Sequence, residues 1–171
     1  MKSGCFCAMR LAAPLLLLAL SSPPSHAEEA SGCDKFKWPI ARQQAALASA
    51  GKATVADGGA LSVGTALRVP LSPVEKIHFT QTPERASAPA TYAAVLTLAP
   101  PAAGVYTVSL SAGAWIDIFQ DGAALHPLAF SGAKECPDIR KSLKFQLSAK
   151  TAVIQVSNAA APEISLVVLP E

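Results

Sequence analysis

From residue 52 onward the chain is a succession of short apolar runs, many of alternating polarity, cut at regular spacing by turn residues. A period of two puts alternate side chains on opposite faces of a strand. In 104–111, Tyr106, Val108 and Leu110 share a face. In 139–148, Leu143, Phe145 and Leu147 oppose Arg140, Ser142, Lys144 and Gln146, and in 163–169, Ile164, Leu166 and Val168 align. Strands are expected at 53–56, 60–63, 65–71, 75–80, 91–98, 104–111, 114–120, 124–130, 139–148, 151–157 and 163–169. Turns fall at Asp57-Gly58-Gly59, Pro100-Pro101, Asp121-Gly122, Ser131-Gly132 and Asn158, and 81–90 reads as an exposed loop. Asp121-Gly122 between two apolar runs is the sharpest hairpin signal. Many short strands with turns between them predict a mainly β fold, an antiparallel β-sandwich or jelly roll.

One substantial helix is expected before the strands, at about 34–51. Pro39 suits a first helical turn, 41–50 is rich in helix formers, and Gly51 is a natural stop. Phe36, Trp38, Ile40 and Leu47 give that segment an apolar side.

Residues 1–27 have the layout of a cleavable export signal: Lys2 and Arg10, an apolar run from Leu11 to Leu20, then Ser25-His26-Ala27 with small residues where a signal peptidase reads. The run is shorter than the roughly 20 residues a spanning helix needs, and no later segment replaces it. The expected mature chain, 28–171, is therefore a single soluble periplasmic or secreted domain without a membrane span. Losing Lys2 and Arg10 lowers the 14 basic residues to 12, equal to the 12 acidic ones. That balance leaves no basic footprint for nucleic acid.

Cys5 and Cys7 belong to the signal, so Cys33 and Cys136 remain. In an oxidising compartment a single disulfide is the default. It would close a loop worth up to about 4–5 kcal/mol by chain entropy and pin the helix to the body of the domain.

Gly104 to Gly113, then Ala114 to Gly122, and the closing strands over 151–169 resemble the β-sandwich modules of pre-peptidase C-terminal type, which are appended to secreted bacterial proteins. The segment from Cys33 to Arg42, with Cys136 to Ser142, resembles a group of uncharacterised exported alphaproteobacterial proteins. Some members of that group carry a homogentisate dioxygenase label. The first resemblance implies a sandwich fold and an accessory role; the second implies no established activity.

Four constellations could carry function. His78, Glu84 and His126 could supply the 2-His-1-carboxylate set of a non-haem iron (Fe2+) dioxygenase, with a spacing similar to that of homogentisate dioxygenase; the sequence around them departs from that enzyme's signature. Asp117 and Asp121, with Asp138, could contribute to a calcium (Ca2+) site, or Asp121 could simply shape its turn. In 114–120, Trp115, Asp117 and Phe119 form one face: an aromatic and carboxylate row that suits a sugar if open, or a face covered by the helix with Phe36 and Trp38. Arg140 and Lys144 could grip a carboxylate or phosphate, or protect a strand edge.

The chain has no Gly-x-Gly-x-x-Gly, P-loop, Gly-x-Ser-x-Gly or His-Glu-x-x-His motif. The leading expectation is a non-enzymatic accessory or binding domain without a cofactor, its partner an envelope protein or a glycan. The iron dioxygenase and a purely structural envelope protein are the alternatives.

Overall fold

The structure, a computed structural model, describes residues 29–51 and 53–171. The expected export signal, residues 1–27 with Cys5 and Cys7, lies outside the described residues. Among the described residues no helix is long and apolar enough to cross a membrane.

A 3-10 turn at Cys33–Lys35 leads into helix α1 (Ala41–Ala48). The strands follow as β1 (Ala60–Leu61), β2 (Leu67–Pro70), β3 (Ser72–Pro73), β4 (Tyr92–Leu98), β5 (Gly104–Leu110) and β6 (Trp115–Gln120). They continue as β7 (Ala123–Leu125), β8 (Ala129–Gly132), β9 (Lys141–Leu147), β10 (Ala152–Ala159) and β11 (Glu163–Pro170). Two sheets form. One runs β1-β4-β10-β6-β7, with β3 also on β4, and the other runs β2-β11-β5-β9-β8. All pairings are antiparallel except β1 with β4.

The sandwich follows from the alternation. Val108, Leu110, Phe145, Leu147 and Leu166 from one sheet meet Leu96, Leu98, Ile118 and Ile154 from the other, all within 1% of complete burial. Each such side chain contributes about 1.5–3 kcal/mol when withdrawn from water. The hairpin forms at Asp121-Gly122, where φ values of 51° and 77° give the left-handed pair that matches strand twist.

The helix is shorter than expected, and 34–40 is not part of it. Lys37 donates its main-chain N–H to Ser131 Oγ at 2.9 Å, and Pro39 disfavours helical backbone at the residue before it. Segment 53–56 makes only an isolated bridge, Thr54 to Arg68. Segment 75–80 is not a strand: a 3-10 turn at Val74–Lys76 follows Pro73, and the chain then leaves the ladder. The run 124–130 divides. β7 ends at Leu125, His126-Pro127 breaks the ladder, and β8 joins the opposite sheet, so this stretch crosses the open edge of the sandwich.

The helix covers the outer face of the five-stranded sheet, not the Trp115–Asp117–Phe119 face. Phe36, Ile40, Leu47 and Ala50 pack on Ala66, Ala133, Ile139, Val167 and Leu169. Cys33 and Cys136 are at disulfide distance, with Cα atoms 4.8 Å apart and the two residues 103 positions apart in sequence. Because Cys136 lies between β8 and β9, the tether leads to that sheet. Val167 and Leu169 face outward on β11, opposite Ile164, Leu166 and Val168, and a strand apolar on both faces requires cover on both.

Candidate functional site

The outer face of the other sheet is crossed by the segment 77–91, whose 81–90 stretch is the expected loop, mostly exposed, and is held to the sheet as a strap. Two side-chain amides of β10 hold it. Gln155, fully buried, accepts from Thr80 Oγ1 and the Gln81 N–H at 3.0 Å each and donates from Nε2 to the Gln81 carbonyl at 3.0 Å. Asn158 accepts from the Ala88 N–H at 2.7 Å and donates to the Ala86 carbonyl at 3.3 Å. Asn158 has φ 55° where the β10 register shifts, so a β-bulge aims its amide at the strap.

The strap brings Glu84 and Arg85 to Trp115 and Asp117. Trp115 Nε1 donates to Asp117 Oδ1 at 2.9 Å, which fixes the indole along the strand. Asp117 is 5% exposed, and its Oδ2 has no hydrogen-bond partner among the described residues. Burial pushes its carboxyl above the usual carboxylate range, and the Trp115 hydrogen bond opposes that shift. Phe119 is buried on the same face.

Beside Trp115 a groove of about 190 Å3 opens at the edge of the sandwich. Ile116 and Leu143, one from each sheet and both 5% exposed, form its floor. Leu125, Pro127 and Phe130 line it further. Phe130 and its neighbour Leu128 are 59% and 60% exposed, the large apolar side chains most open to solvent among those described.

Cations stand on both aromatic rings of the groove. The Arg85 guanidinium carbon is 5.5 Å and Lys141 Nζ 5.3 Å from the Trp115 ring centre, and Lys37 Nζ is 4.8 Å from that of Phe130. All three distances lie within cation–π range. Among the described residues, none of these three cations has a carboxylate partner within ion-pair distance. Lys141 Nζ donates to the Ala114 carbonyl at 3.0 Å. Burial holds the Lys141 ammonium below its ordinary pKa, Arg85 and Arg140 push it the same way, and Glu29 pulls against them.

Of the proposed metal ligands, Glu84 and His126 approach at the groove rim, with Nδ1 to Oε1 at 4.0 Å. His78 is exposed on the strap. Among the described residues no three His, Cys, Asp or Glu side chains group to hold a metal ion. Asp121 pairs at 2.7 Å with Lys150 of the β9–β10 connection, while Asp117 is committed to Trp115.

Arg140 pairs with Glu29, and Lys144 pairs with Glu171 while lying 4.9 Å from the Trp38 ring centre. Lys144 is on β9, interior between β5 and β8, and Arg140 just before it bonds through its main chain to Leu110 and Ala133, so these cations do not guard an edge. Sequence reasoning found Trp115 and Asp117 but missed Phe130 and Leu143, which line the groove, and Arg85, which reaches the Trp115 ring, because tertiary placement alone brings them there. The proline break at His126-Pro127 was the readable hint that the chain changes sheets there. No family model, curated protein or solved structure matches this chain.

Proposed function

We propose that this chain is an exported, non-enzymatic binding domain whose ligand site is the groove beside Trp115. Export rests on the layout of residues 1–27, and the Cys33–Cys136 pair suits an oxidising compartment. One observation carries the binding reading. An indole held by its own strand's carboxylate lies within cation–π reach of two cations without carboxylate partners among the described residues, at the wall of an apolar groove. Concave apolar surface with a few convergent polar groups is what small ligands and anchoring side chains occupy, and aromatic and arginine side chains dominate interface energetics. The cations set the ligand's sign: an apolar group carrying negative charge.

The chain has two tryptophans, Trp38 and Trp115, so Trp38→Phe leaves Trp115 as the sole indole reporter. Titration with anilinonaphthalene sulfonate, an apolar anion, is expected to change Trp115 emission and to saturate. Phe130→Ala is expected to weaken that binding by about tenfold, the loss of one well-packed anchor. Unchanged Trp115 emission across the titration would overturn the reading.

A further inference from the structure

We propose that the groove's occupant is an extended acidic peptide that adds as a strand to the free edge of β8 and seats one apolar side chain against Trp115 and Phe130. The proposal rests on the binding reading above and names the partner's chemistry.

The edge comes first. β8 ends the five-stranded sheet, and along 129–132 its outer side has no strand partner among the described residues. Edge strands are usually blunted by lysine, proline or cover, whereas β8 reads Ala-Phe-Ser-Gly. Just beyond it the same edge already accepts main-chain pairing. Lys134 donates its N–H to the Ala30 carbonyl, and Gly32 donates to the Lys134 carbonyl, each at 2.8 Å. The bridge is parallel and Glu29 already shares a depression with Phe130, Ser131 and Gly132, so an incoming strand would pair at the Ala129–Phe130 end of β8, the mode in which main-chain bonds provide affinity and alternate side chains provide specificity.

The groove's size sets the anchor. An apolar cavity of about 150 Å3 holds a benzene ring, so the 190 Å3 here takes a single aromatic or branched aliphatic side chain.

Charge sets the flanks. Arg85, Lys141 and Lys37 all lie on the groove's aromatic rings without carboxylate partners among the described residues. Two carboxylates stand near them: Glu29 is paired with Arg140, and Glu84 lines the groove with its Oε1 4.0 Å from His126 Nδ1, an ion pair only when that imidazole is protonated. Carboxylates two residues either side of the anchor, on the same face of the added strand, would meet these cations.

The test uses Trp38→Phe protein and four reagents read by Trp115 emission. These are a short peptide with a central Phe between alternating Asp and Thr, the same peptide N-methylated at alternate residues, its Lys-for-Asp counterpart, and phosphatidylglycerol vesicles. The acidic peptide is expected to bind, and N-methylation or charge reversal to weaken it by at least about tenfold. Arg85→Glu, in the exposed part of the strap, is expected to weaken it about fivefold without moving the thermal midpoint. Anilinonaphthalene sulfonate binding without peptide binding would overturn strand addition and leave the groove reading standing. Peptide binding indifferent to N-methylation, or vesicle binding in place of peptide binding, would also overturn strand addition. If neither the sulfonate nor the peptide moved Trp115 emission, both readings would fall.

Discussion

Trp115 Nε1 donates to Asp117 Oδ1 at 2.9 Å from two positions away on the same strand face. The bond satisfies a half-buried indole, but it draws a carboxylate into a place where its other oxygen finds no partner among the described residues. Local strand periodicity thus creates both the aromatic wall of the groove and a buried acid behind it.

Asp117 predicts a pH effect of definite sign. Burial raises its folded pKa above the unfolded value, so the folded chain holds this proton more tightly. The group's stabilising contribution is complete below the unfolded pKa and is lost as pH rises through the raised folded value. Asp117→Asn keeps an acceptor for Trp115 and removes the charge. Its thermal midpoint, measured against pH, is expected to gain on wild type as pH rises across that window. Parallel curves would contradict it.

Glu171 predicts the opposite slope. Its hydrogen bond from Lys144 Nζ, then that from Thr107 Oγ1, holds its carboxyl below the usual range. That contribution is present above the unfolded pKa and is lost as pH falls through the depressed folded value. Glu171→Gln is expected to cost under about 1 kcal/mol at neutral pH, the size of a partly exposed ion pair. The deficit should vanish on acidification in urea titrations, and a deficit that persists would point elsewhere.

Gln155 is the clamp whose loss should free the strap. Gln155→Leu keeps similar volume and removes three hydrogen bonds, stranding the Gln81 N–H and carbonyl against the sheet. A loss of about 1–3 kcal/mol is expected, together with faster tryptic cleavage after Arg85. Wild-type cleavage kinetics in the variant would show that Asn158 and packing hold the strap alone.

The Cys33–Cys136 pair should leave no free thiol in exported, denatured, non-reduced protein. Its reduction, or Cys33→Ala with Cys136→Ala, is expected to cost about 2–5 kcal/mol in denaturant unfolding. The helix layer on Val167 and Leu169 should loosen first, visible as faster amide exchange over 41–48.

Strand identity was legible wherever one face alone is buried. Alternation in 104–111 and 139–148 located β5 and β9, and Asp121-Gly122 located the β6–β7 hairpin, because its left-handed backbone is cheap only for a few residue types. It failed over 75–80, where Ile77 and Phe79 alternate like a strand while Thr80 and the Gln81 main chain bond to Gln155 instead of to a neighbouring ladder. It also blurred 124–130, since one apolar run serves two sheets on either side of His126-Pro127.

The residues by themselves determined a mainly β sandwich, the cysteine pair, and the indole and carboxylate on one strand face, because periodicity, turn chemistry and pairwise options act over a few positions. Tertiary structure alone decided which sheet the helix covers, that a strap clamped by Gln155 and Asn158 covers the other, and that Trp115, Phe130 and Leu143 meet in one groove with Arg85 on the indole. Those outcomes depend on which faces two twisted sheets leave uncovered and on which distant segments can supply matching apolar area and hydrogen bonds. Neither is a property of any local stretch of the chain.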